Sequence, residues 1–208
     1  MIAIVDYGVG NLFSLQSSFA AIGVPACVSG NAAELEKADR LILPGVGAFG
    51  DAADKLRASG LDKTVLSEAA KGKPLMGICL GMQLLFDRGL EYGCHEGLGL
   101  IHGEVRPIAD VIGPGLKIPH IGWNALQLRG QSPLWRYIRE GDCVYFVHSF
   151  YAADCEQSTI AVTEYGATLT AAVQNGNVFG CQFHPEKSGP VGLKILQAFC
   201  EYEGGGQV

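Results

Sequence analysis

The sequence lacks the cysteine spacing that marks several classes of small protein. Its 208 residues include seven cysteines, an odd number, and no two of them form a CxxC pair. Scattered cysteines in odd number exclude a complete disulfide framework and give no zinc knuckle. We expect most of them to be small buried side chains instead.

Charged residues and long apolar runs are also scarce. Charged residues make up 17% of the chain, the net charge is -6, and Lys and Arg form no cluster. A weakly acidic chain of this kind is a poor ligand for nucleic acid or for an anionic membrane surface. No stretch approaches the roughly 18 apolar residues of a membrane span, and the start of the chain has no basic leader region. The sequence therefore predicts a cytoplasmic protein whose partners are small molecules or another protein.

Short apolar runs alternate with helical patterns in the first half of the chain. The runs at 2–5, 40–43 and 75–78 are typical of strands buried on both faces. The amphipathic stretch after Asn11 and the region 48–71 predict helices between them. This alternation predicts an α/β class, with a mainly parallel sheet and helices on both faces. No linker divides the chain, so we expect one domain spanning residues 1–208.

The second half of the chain is denser in short strands and turns. Further apolar runs occupy 144–147, 160–163 and 178–183, and the segment 103–182 predicts an antiparallel extension at one edge of the sheet. A last helix is expected after Ser188, which could cap it, with Pro190 in its first turn.

Cys79 lies where an apolar strand breaks at a Gly-x-Cys-x-Gly turn before a helix. This pattern is typical of a nucleophile elbow, with Cys in the usual position of Ser. Gly77 and Gly81 remove side chains that would collide across such a sharp turn. The position at a helix N-terminus favours the thiolate, which is the reactive form of cysteine. The pattern therefore predicts Cys79 as a nucleophile rather than a core cysteine.

His184 is the histidine with the most suitable neighbours to serve as the base. It follows an apolar strand, and Pro185 forces it into an extended conformation. Side chains alternate along an extended chain, so Glu186 should project the same way and hold the imidazole in its useful tautomer. Cys79, His184 and Glu186 are thus the predicted catalytic triad. The other four histidines lack a comparable acidic neighbour and are expected to be structural or loop residues.

A tetrahedral adduct on the sulfur also needs donors for its oxyanion. The N–H of Leu80, directly after the nucleophile, is one candidate. The glycine-rich loop after the apolar run at 40–43 offers the N–H groups of Gly45, Val46 and Gly47 as the other. A loop of this composition is weak evidence alone, because most glycine-rich turns are only turns.

Two motifs together resemble the class I (triad) glutamine amidotransferases, namely GICLGMQ at 77–83 and HPE at 184–186. Further matching segments, which extend the resemblance over nearly the whole chain, are DYGVGNL at 6–12, PGVGAF at 44–49, PHIGWN at 119–124, YFVHS at 145–149 and HPEKS at 184–188. The resemblance implies a flavodoxin-like fold and hydrolysis of L-glutamine to glutamate and ammonia. It implies no metal and no organic cofactor, because the reaction involves neither redox nor carbanion chemistry.

The resemblance also implies roles for further residues. Gln83 and Gly47 would help to hold glutamine, Glu91 would bind its amino group, and the Ser149-Phe150 backbone would bind its carboxylate. The branch of the family that this chain resembles pairs with a (β/α)8-barrel cyclase subunit in a heterodimer that receives the ammonia. The residues expected to face that subunit are Asn11, Trp123, Tyr145 and Lys187, although Trp123 or Tyr145 could equally be core aromatics.

Two alternatives remain at the level of sequence. The chain could be the glutaminase subunit of another synthase, such as one for anthranilate or guanosine monophosphate, although segment 119–124 speaks against this. It could also be a non-catalytic regulatory subunit that only retains the fold. A degenerate subunit would be expected to have a damaged triad, and all three members are present here.

Overall fold

The structure is a computed structural model that describes residues 1–204, so the last four positions of the predicted domain lie outside the described residues. Its strands are β1 (Ile2–Val5), β2 (Ala26–Ser29), β3 (Arg40–Leu43), β4 (Leu75–Ile78), β5 (Phe86–Gly89), β6 (His95–Glu96), β7 (Ile101–Pro107), β8 (His120–Ala125), β9 (Gln127–Leu128), β10 (Cys143–His148), β11 (Phe150–Ala153), β12 (Thr159–Glu164), β13 (Thr168–Asn175) and β14 (Val178–Cys181). Its α-helices are α1 (Leu12–Ala21), α2 (Ala32–Lys37), α3 (Phe49–Ala58), α4 (Leu61–Ala70), α5 (Leu80–Gln83) and α6 (Gly189–Cys200). Three short 3-10 turns at Ile108–Asp110, Pro133–Trp135 and Pro185–Lys187 complete the described elements.

One large sheet organises the fold. Its strand order is β2-β1-β3-β4-β14-β13-β12-β9, and the pairs from β2 to β14 are parallel while the remaining pairs are antiparallel. Two apolar clusters pack on its two faces, one including Phe49 and Leu56 of α3 and the other including Phe19 of α1 and Phe199 of α6. The predicted α/β class, with a mainly parallel sheet covered on both faces, is confirmed.

Two smaller sheets extend this layer and lie near the carboxyl ends of the parallel strands. Strands β8 and β10 form an antiparallel pair, and β11, β7, β5 and β6 form a four-stranded sheet. The chain between His148 and Phe150 passes from the first of these sheets to the second. Open α/β sheets bind ligands outside the carboxyl ends of their parallel strands, so these additions build the wall of the candidate site.

Local signals explain most helix boundaries. Asn11 caps α1, because its side chain accepts a hydrogen bond from the Ser14 N–H at 3.3 Å. Gly72 follows α4 with a φ of 88°, a conformation that glycine adopts without strain. Within residues 1–204, no helix is both long and apolar enough to cross a membrane.

Four sequence-based predictions of local structure were wrong in detail. The strand predicted at 178–183 ends at Cys181, and 185–187 is a 3-10 turn rather than extended chain. The helix after the elbow lasts only from Leu80 to Gln83. Ser188 precedes α6 but does not cap it with its side chain, because its hydroxyl donates to the His184 carbonyl at 2.6 Å.

The cysteine prediction also needs correction. All seven cysteines are free, but only Cys79, Cys155 and Cys181 are buried, while Cys94 and Cys143 are exposed. Cys94 follows a turn, and Cys143 is the first residue of β10, on the side of that strand opposite the buried Val144 and Phe146.

Candidate active site

Cys79 occupies a strained turn between β4 and α5. Its backbone has a φ of 56° and a ψ of -113°, a conformation that residues other than glycine rarely adopt. The Cys79 N–H donates to the Cys181 carbonyl at 2.8 Å, which fixes the turn to the adjacent strand. A Cβ atom on Gly81 would lie 1.8 Å from the Leu43 carbonyl oxygen, and one on Gly77 would lie 2.6 Å from the Gly81 oxygen. The two glycines are therefore required by close backbone approach, as the elbow motif predicts.

His184 and Glu186 form a buried pair beside this turn. Nδ1 of His184 lies 2.8 Å from Oε1 of Glu186, and their side chains are only 4% and 2% exposed. Glu186 reaches back to the imidazole across the 3-10 turn, so the contact does not depend on the extended chain expected from the sequence. The backbone N–H of His184 donates to the Tyr145 carbonyl at 2.9 Å, which ties the segment to β10.

The charge state of His184 follows from these neighbours. Burial opposes a charged imidazole, yet the nearby Cys79 sulfur and the hydrogen-bonded Glu186 carboxylate outweigh it and raise the pKa of His184 to about 9. At neutral pH the imidazole therefore favours its protonated form, which is the partner that a Cys79 thiolate needs. The Cys79 sulfur and the His184 imidazole both line one cleft, and the Glu186 carboxylate lies behind the imidazole.

A cleft of about 320 Å³ opens over the Cys79 sulfur. This volume suits a small metabolite such as an amino acid. The predicted catalytic, oxyanion, substrate and interface residues that line it are Cys79, His184, Leu80, Val46, Gly47, Gln83, Glu91, Ser149, Phe150 and Lys187.

The remaining predicted residues lie outside the cleft. Gly45 is buried behind it, where an added Cβ would be 2.7 Å from the Gly81 nitrogen. Glu186 lies behind the imidazole of His184. Asn11 caps α1, and Trp123 and Tyr145 stack edge to face with ring centroids 6.0 Å apart. Trp123 is 55% exposed, so it is not a core aromatic.

Two of the predicted substrate-binding side chains are already anchored. Glu91 accepts a hydrogen bond from the Phe49 N–H, with its Oε2 at 2.7 Å, and so holds the start of α3. The amide nitrogen of Gln83 donates to the Phe150 carbonyl at 3.2 Å and to Oε1 of Gln182 at 2.9 Å. Each anchor fixes the orientation of a side chain that faces the cleft.

Sequence reasoning missed two residues that contact the site. Gln182 is fully buried, and its Nε2 lies 3.8 Å from the Cys79 sulfur. Its position two residues before His184 was an available signal. Tyr7 donates its hydroxyl to the Pro44 carbonyl at 2.7 Å and thereby braces the glycine-rich loop. Burial raises the pKa of Tyr7, with the charge of Cys79 adding to the effect, so the phenol stays protonated.

The other histidines are partly as expected. His120 and His148 form a buried pair, with a ring nitrogen of each 3.0 Å apart. Burial lowers the pKa of His148 to about 4, so this residue is neutral and donates its Nδ1–H to the Phe150 carbonyl at 2.8 Å. The expectation that these histidines lack a comparable acidic neighbour was wrong for His102, whose Nδ1 lies 2.8 Å from Oδ2 of Asp87.

Comparison with known proteins identifies the class to which this fold and site belong. A family model described as "Glutamine amidotransferase class-I" matches residues 3–201. The chain belongs to this family, and the predicted resemblance is confirmed.

Its relatives identify a particular branch of that family. A protein of Oceanobacillus iheyensis is 46% identical over 202 residues, with 97% of this chain and 98% of the relative covered. A protein of Bacillus velezensis is 49% identical over 202 residues, with 96% and 95% covered. Both are named imidazole glycerol phosphate synthase subunit HisH. These relatives support the imidazole glycerol phosphate synthase branch and do not favour the anthranilate or guanosine monophosphate alternatives.

Solved structures agree on the fold. PurLQS from Thermotoga maritima superposes with a TM-score of 0.77 at 22% identity, covering 97% of both chains. A structure described as a glutamine amidotransferase gives a TM-score of 0.75 at 20% identity, covering 96% of this chain and 97% of the other. At these identities the likeness concerns the fold alone.

Proposed function

We propose that this chain is the glutaminase subunit of an imidazole glycerol phosphate synthase of histidine biosynthesis. It hydrolyses L-glutamine to glutamate and ammonia with a Cys-His-Glu triad. The observation that carries this proposal is the strained turn that presents the Cys79 sulfur to a cleft also lined by His184. The Nδ1 of His184 is hydrogen-bonded to Glu186 at 2.8 Å. The protein is proposed to act as a single domain in the cytoplasm.

Glutamine would lie along the cleft with its carboxamide over the sulfur. Glu91 has one oxygen committed to the Phe49 N–H and can offer the other to the substrate ammonium. The Ser149-Phe150 backbone also lines the cleft and can bind the substrate carboxylate. Gln83, whose amide nitrogen is committed, can accept a hydrogen bond from the substrate through its Oε1.

The reaction then proceeds through a covalent intermediate. The Cys79 thiolate attacks the carboxamide carbon, and a carbon–sulfur bond forms as the carbonyl oxygen becomes negative. Protonated His184 gives its proton to the amide nitrogen, the carbon–nitrogen bond breaks, and ammonia leaves a thioester. His184 next takes a proton from water, which attacks the thioester and releases glutamate and the thiolate.

The oxyanion of each tetrahedral adduct needs aligned N–H donors. Leu80 can supply one from the start of α5, and Val46 and Gly47 of the glycine-rich loop also line the cleft. Gly47 has a φ of 100°, so its peptide can turn at low cost to aim an N–H group at the oxygen. Gly45 contributes by close packing against Gly81, which keeps the loop beside the elbow.

The ammonia must reach its acceptor before water protonates it, so a partner should cover the cleft. We propose that this partner is a (β/α)8-barrel cyclase subunit, in a heterodimer that makes imidazole glycerol phosphate. Lys187 and Pro119 at the cleft, with Asn11, Trp123 and Tyr145 beyond it, form the proposed contact face.

The catalytic assignment is tested by substitution of the nucleophile. With the cyclase and its substrates present, Cys79→Ala should release glutamate at the background rate, measured by coupled glutamate oxidation. The matched control is Cys143→Ala, an exposed cysteine outside the cleft, which should keep the parental rate. Parental turnover in the Cys79→Ala protein would refute the triad.

The partner is tested separately. The chain is mixed with a cyclase subunit, and in parallel with anthranilate and guanosine monophosphate synthase subunits. Glutamine turnover should rise with the cyclase alone. Stimulation by one of the other subunits would contradict the proposed partner, and no turnover with any of them would favour the non-catalytic alternative.

A further inference from the structure

Gln182 is a buried amide in direct contact with the nucleophile. Its side chain is fully buried, and its Nε2 lies 3.8 Å from the sulfur of Cys79, within the range of a hydrogen bond to sulfur. An amide buried among apolar side chains is costly unless its polar atoms are paired. Both the oxygen and the nitrogen of the buried Gln182 amide therefore need hydrogen-bond partners.

The neighbours of Gln182 determine which end faces the sulfur. The Phe150 carbonyl can only accept, so Gln83 must turn its Nε2 toward it, at 3.2 Å. The same Nε2 lies 2.9 Å from the Gln182 side chain, which must therefore accept this hydrogen bond through its oxygen, Oε1. The nitrogen of Gln182 is then left to face Cys79.

The surroundings of the sulfur explain why such a donor matters. In the thiol form, Cys79 can donate to the Val147 carbonyl, at 3.9 Å. In the thiolate form that contact becomes unfavourable, because a carbonyl oxygen and a thiolate are both electron-rich. Gln182 offers the complementary contact, since an N–H donor binds a thiolate more strongly than a thiol.

We infer that Gln182 is a catalytic residue that donates a hydrogen bond to the Cys79 thiolate and holds it ready for attack. The negative charge of the thiolate is thus stabilised by two groups, the imidazolium of His184 and a neutral amide that cannot titrate. Because the amide is locked by Gln83, the donor needs no reorganisation when the thiolate forms. The inference extends the proposed function to a further residue of the same site.

The first test uses the unaltered chain. The rate of Cys79 carbamidomethylation by iodoacetamide is measured against pH, with peptide mass spectrometry to separate Cys79 from the other cysteines. The side-chain amide of Gln182 is followed by ¹⁵N NMR over the same pH range. Its resonance should move with the midpoint found for Cys79, and the movement should vanish in Cys79→Ala. A resonance that does not respond to ionisation of Cys79 would overturn the inference.

The second test removes the donor. Gln182→Met has similar size and no N–H, whereas Gln182→Glu keeps an acceptor for Gln83 and presents an oxygen to the sulfur. At pH 7 both should alkylate Cys79 about tenfold to a hundredfold more slowly, the range for one hydrogen bond to a charged group, with the larger effect in Gln182→Glu. The alkylation midpoint should move to higher pH in both variants.

The control separates a chemical role from a structural one. Thr163 is also fully buried, and its hydroxyl donates to the Ala125 carbonyl at 3.0 Å on β12, away from the cleft. Thr163→Val should lose stability without moving the alkylation midpoint. A folded Gln182→Met protein with the parental midpoint would show that Gln182 only packs, and if that variant fails to fold, the NMR test on the unaltered chain decides.

These measurements use no glutamine and no partner. If the chain failed to release glutamate with every synthase subunit, the proposed function would fall while the thiolate contact could still be measured. Conversely, a full glutaminase rate together with a Gln182 resonance that does not respond to ionisation of Cys79 would leave the proposed function intact and contradict this inference.

Discussion

At the scale of single residues, the charge on His184 depends on a carboxylate that makes no contact with the cleft. Glu186→Gln removes the negative charge while keeping the size of the side chain. The pKa of His184 should then fall below about 9, because one of the partners that raise it against burial is lost. The imidazolium would deprotonate at lower pH, and kcat should fall about 10²-fold or more. The Cε1–H resonance of His184, titrated by NMR, measures this pKa.

The control for this substitution is Glu201→Gln, an exposed carboxylate bonded to Tyr137 at 2.6 Å, far along α6 from the triad. It should leave the pKa of His184 unchanged. If the imidazole titrated alike in Glu186→Gln and in the unaltered chain, Glu186 would not be the third member of the triad.

Glu91 should act on binding rather than on chemistry. Gln at this position can still accept from the Phe49 N–H, so α3 keeps its anchor while the negative charge is lost. We expect Glu91→Gln to raise KM for glutamine about tenfold to a hundredfold with kcat nearly unchanged, because the ammonium contact is equal in ground and transition states. Steady-state kinetics with the partner present measures both constants, and Glu96→Gln, an exposed carboxylate, serves as control. A loss confined to kcat would contradict this role.

Single residues also mark the limit of the sequence-based prediction. Cys79 and His184 could be found because each lies in a local motif whose chemistry is readable. Tyr7 could not, because its bracing of Pro44 spans 37 positions and a tyrosine carries no local mark of such a contact. Gln182 lies two residues before the HPE motif, yet its contact with Cys79 spans 103 positions and depends on the pairing of β4 with β14.

At the scale of elements, Gly81 is the residue on which the elbow depends. A Cβ there would be 1.8 Å from the Leu43 carbonyl oxygen, which belongs to β3 and cannot move without breaking the sheet. Gly81→Ala should therefore lower the free energy of unfolding by about 3 kcal/mol or more, at the upper end of overpacking costs. Urea denaturation with matched m-values measures the change.

Gly113 provides the matched control for Gly81. A Cβ at Gly113 would meet nothing within 4 Å, and its φ is not in the left-handed region. Gly113→Ala should change stability by no more than about 0.5 kcal/mol. Equal denaturation midpoints for the two variants would mean that β3 and α5 do not approach each other as described.

Elements also divide into those that the sequence could predict and those that it could not. The buried parallel strands β1, β3 and β4 were predicted at their observed bounds, because a short apolar run between turns leaves few alternatives. The end of α5 was not, since the apolar residues that follow it continue the helical pattern. Tertiary packing decides there in favour of β5, which pairs with β7 in the second sheet.

At the scale of the whole molecule, an apolar face lies beside the cleft. On β8, Ile121 and Trp123 point to the same side and are 57% and 55% exposed, while His120 points inward and is buried. Phe13 of α1 is 79% exposed and shares a groove with Gly189 at the start of α6. The Trp123 ring also approaches that point, 4.0 Å from where a Cβ on Gly189 would lie. Contiguous exposed aromatic and aliphatic groups of this kind mark interaction surfaces.

Trp123 should therefore contribute strongly to binding of the proposed cyclase subunit. Trp123→Ala should weaken the heterodimer by about 2 kcal/mol, roughly thirtyfold in Kd, because large aromatic side chains dominate the energy of protein interfaces. Isothermal titration calorimetry with the purified cyclase measures the affinity. Tyr137→Ala is the control, since Tyr137 contacts Glu201 at the far end of α6, about 18 Å along a helix of twelve residues. If both variants bound the cyclase as tightly as the unaltered chain, the partner would have to dock on another face. The cleft over Cys79 would then open to solvent, and the ammonia released there would enter solvent rather than that subunit.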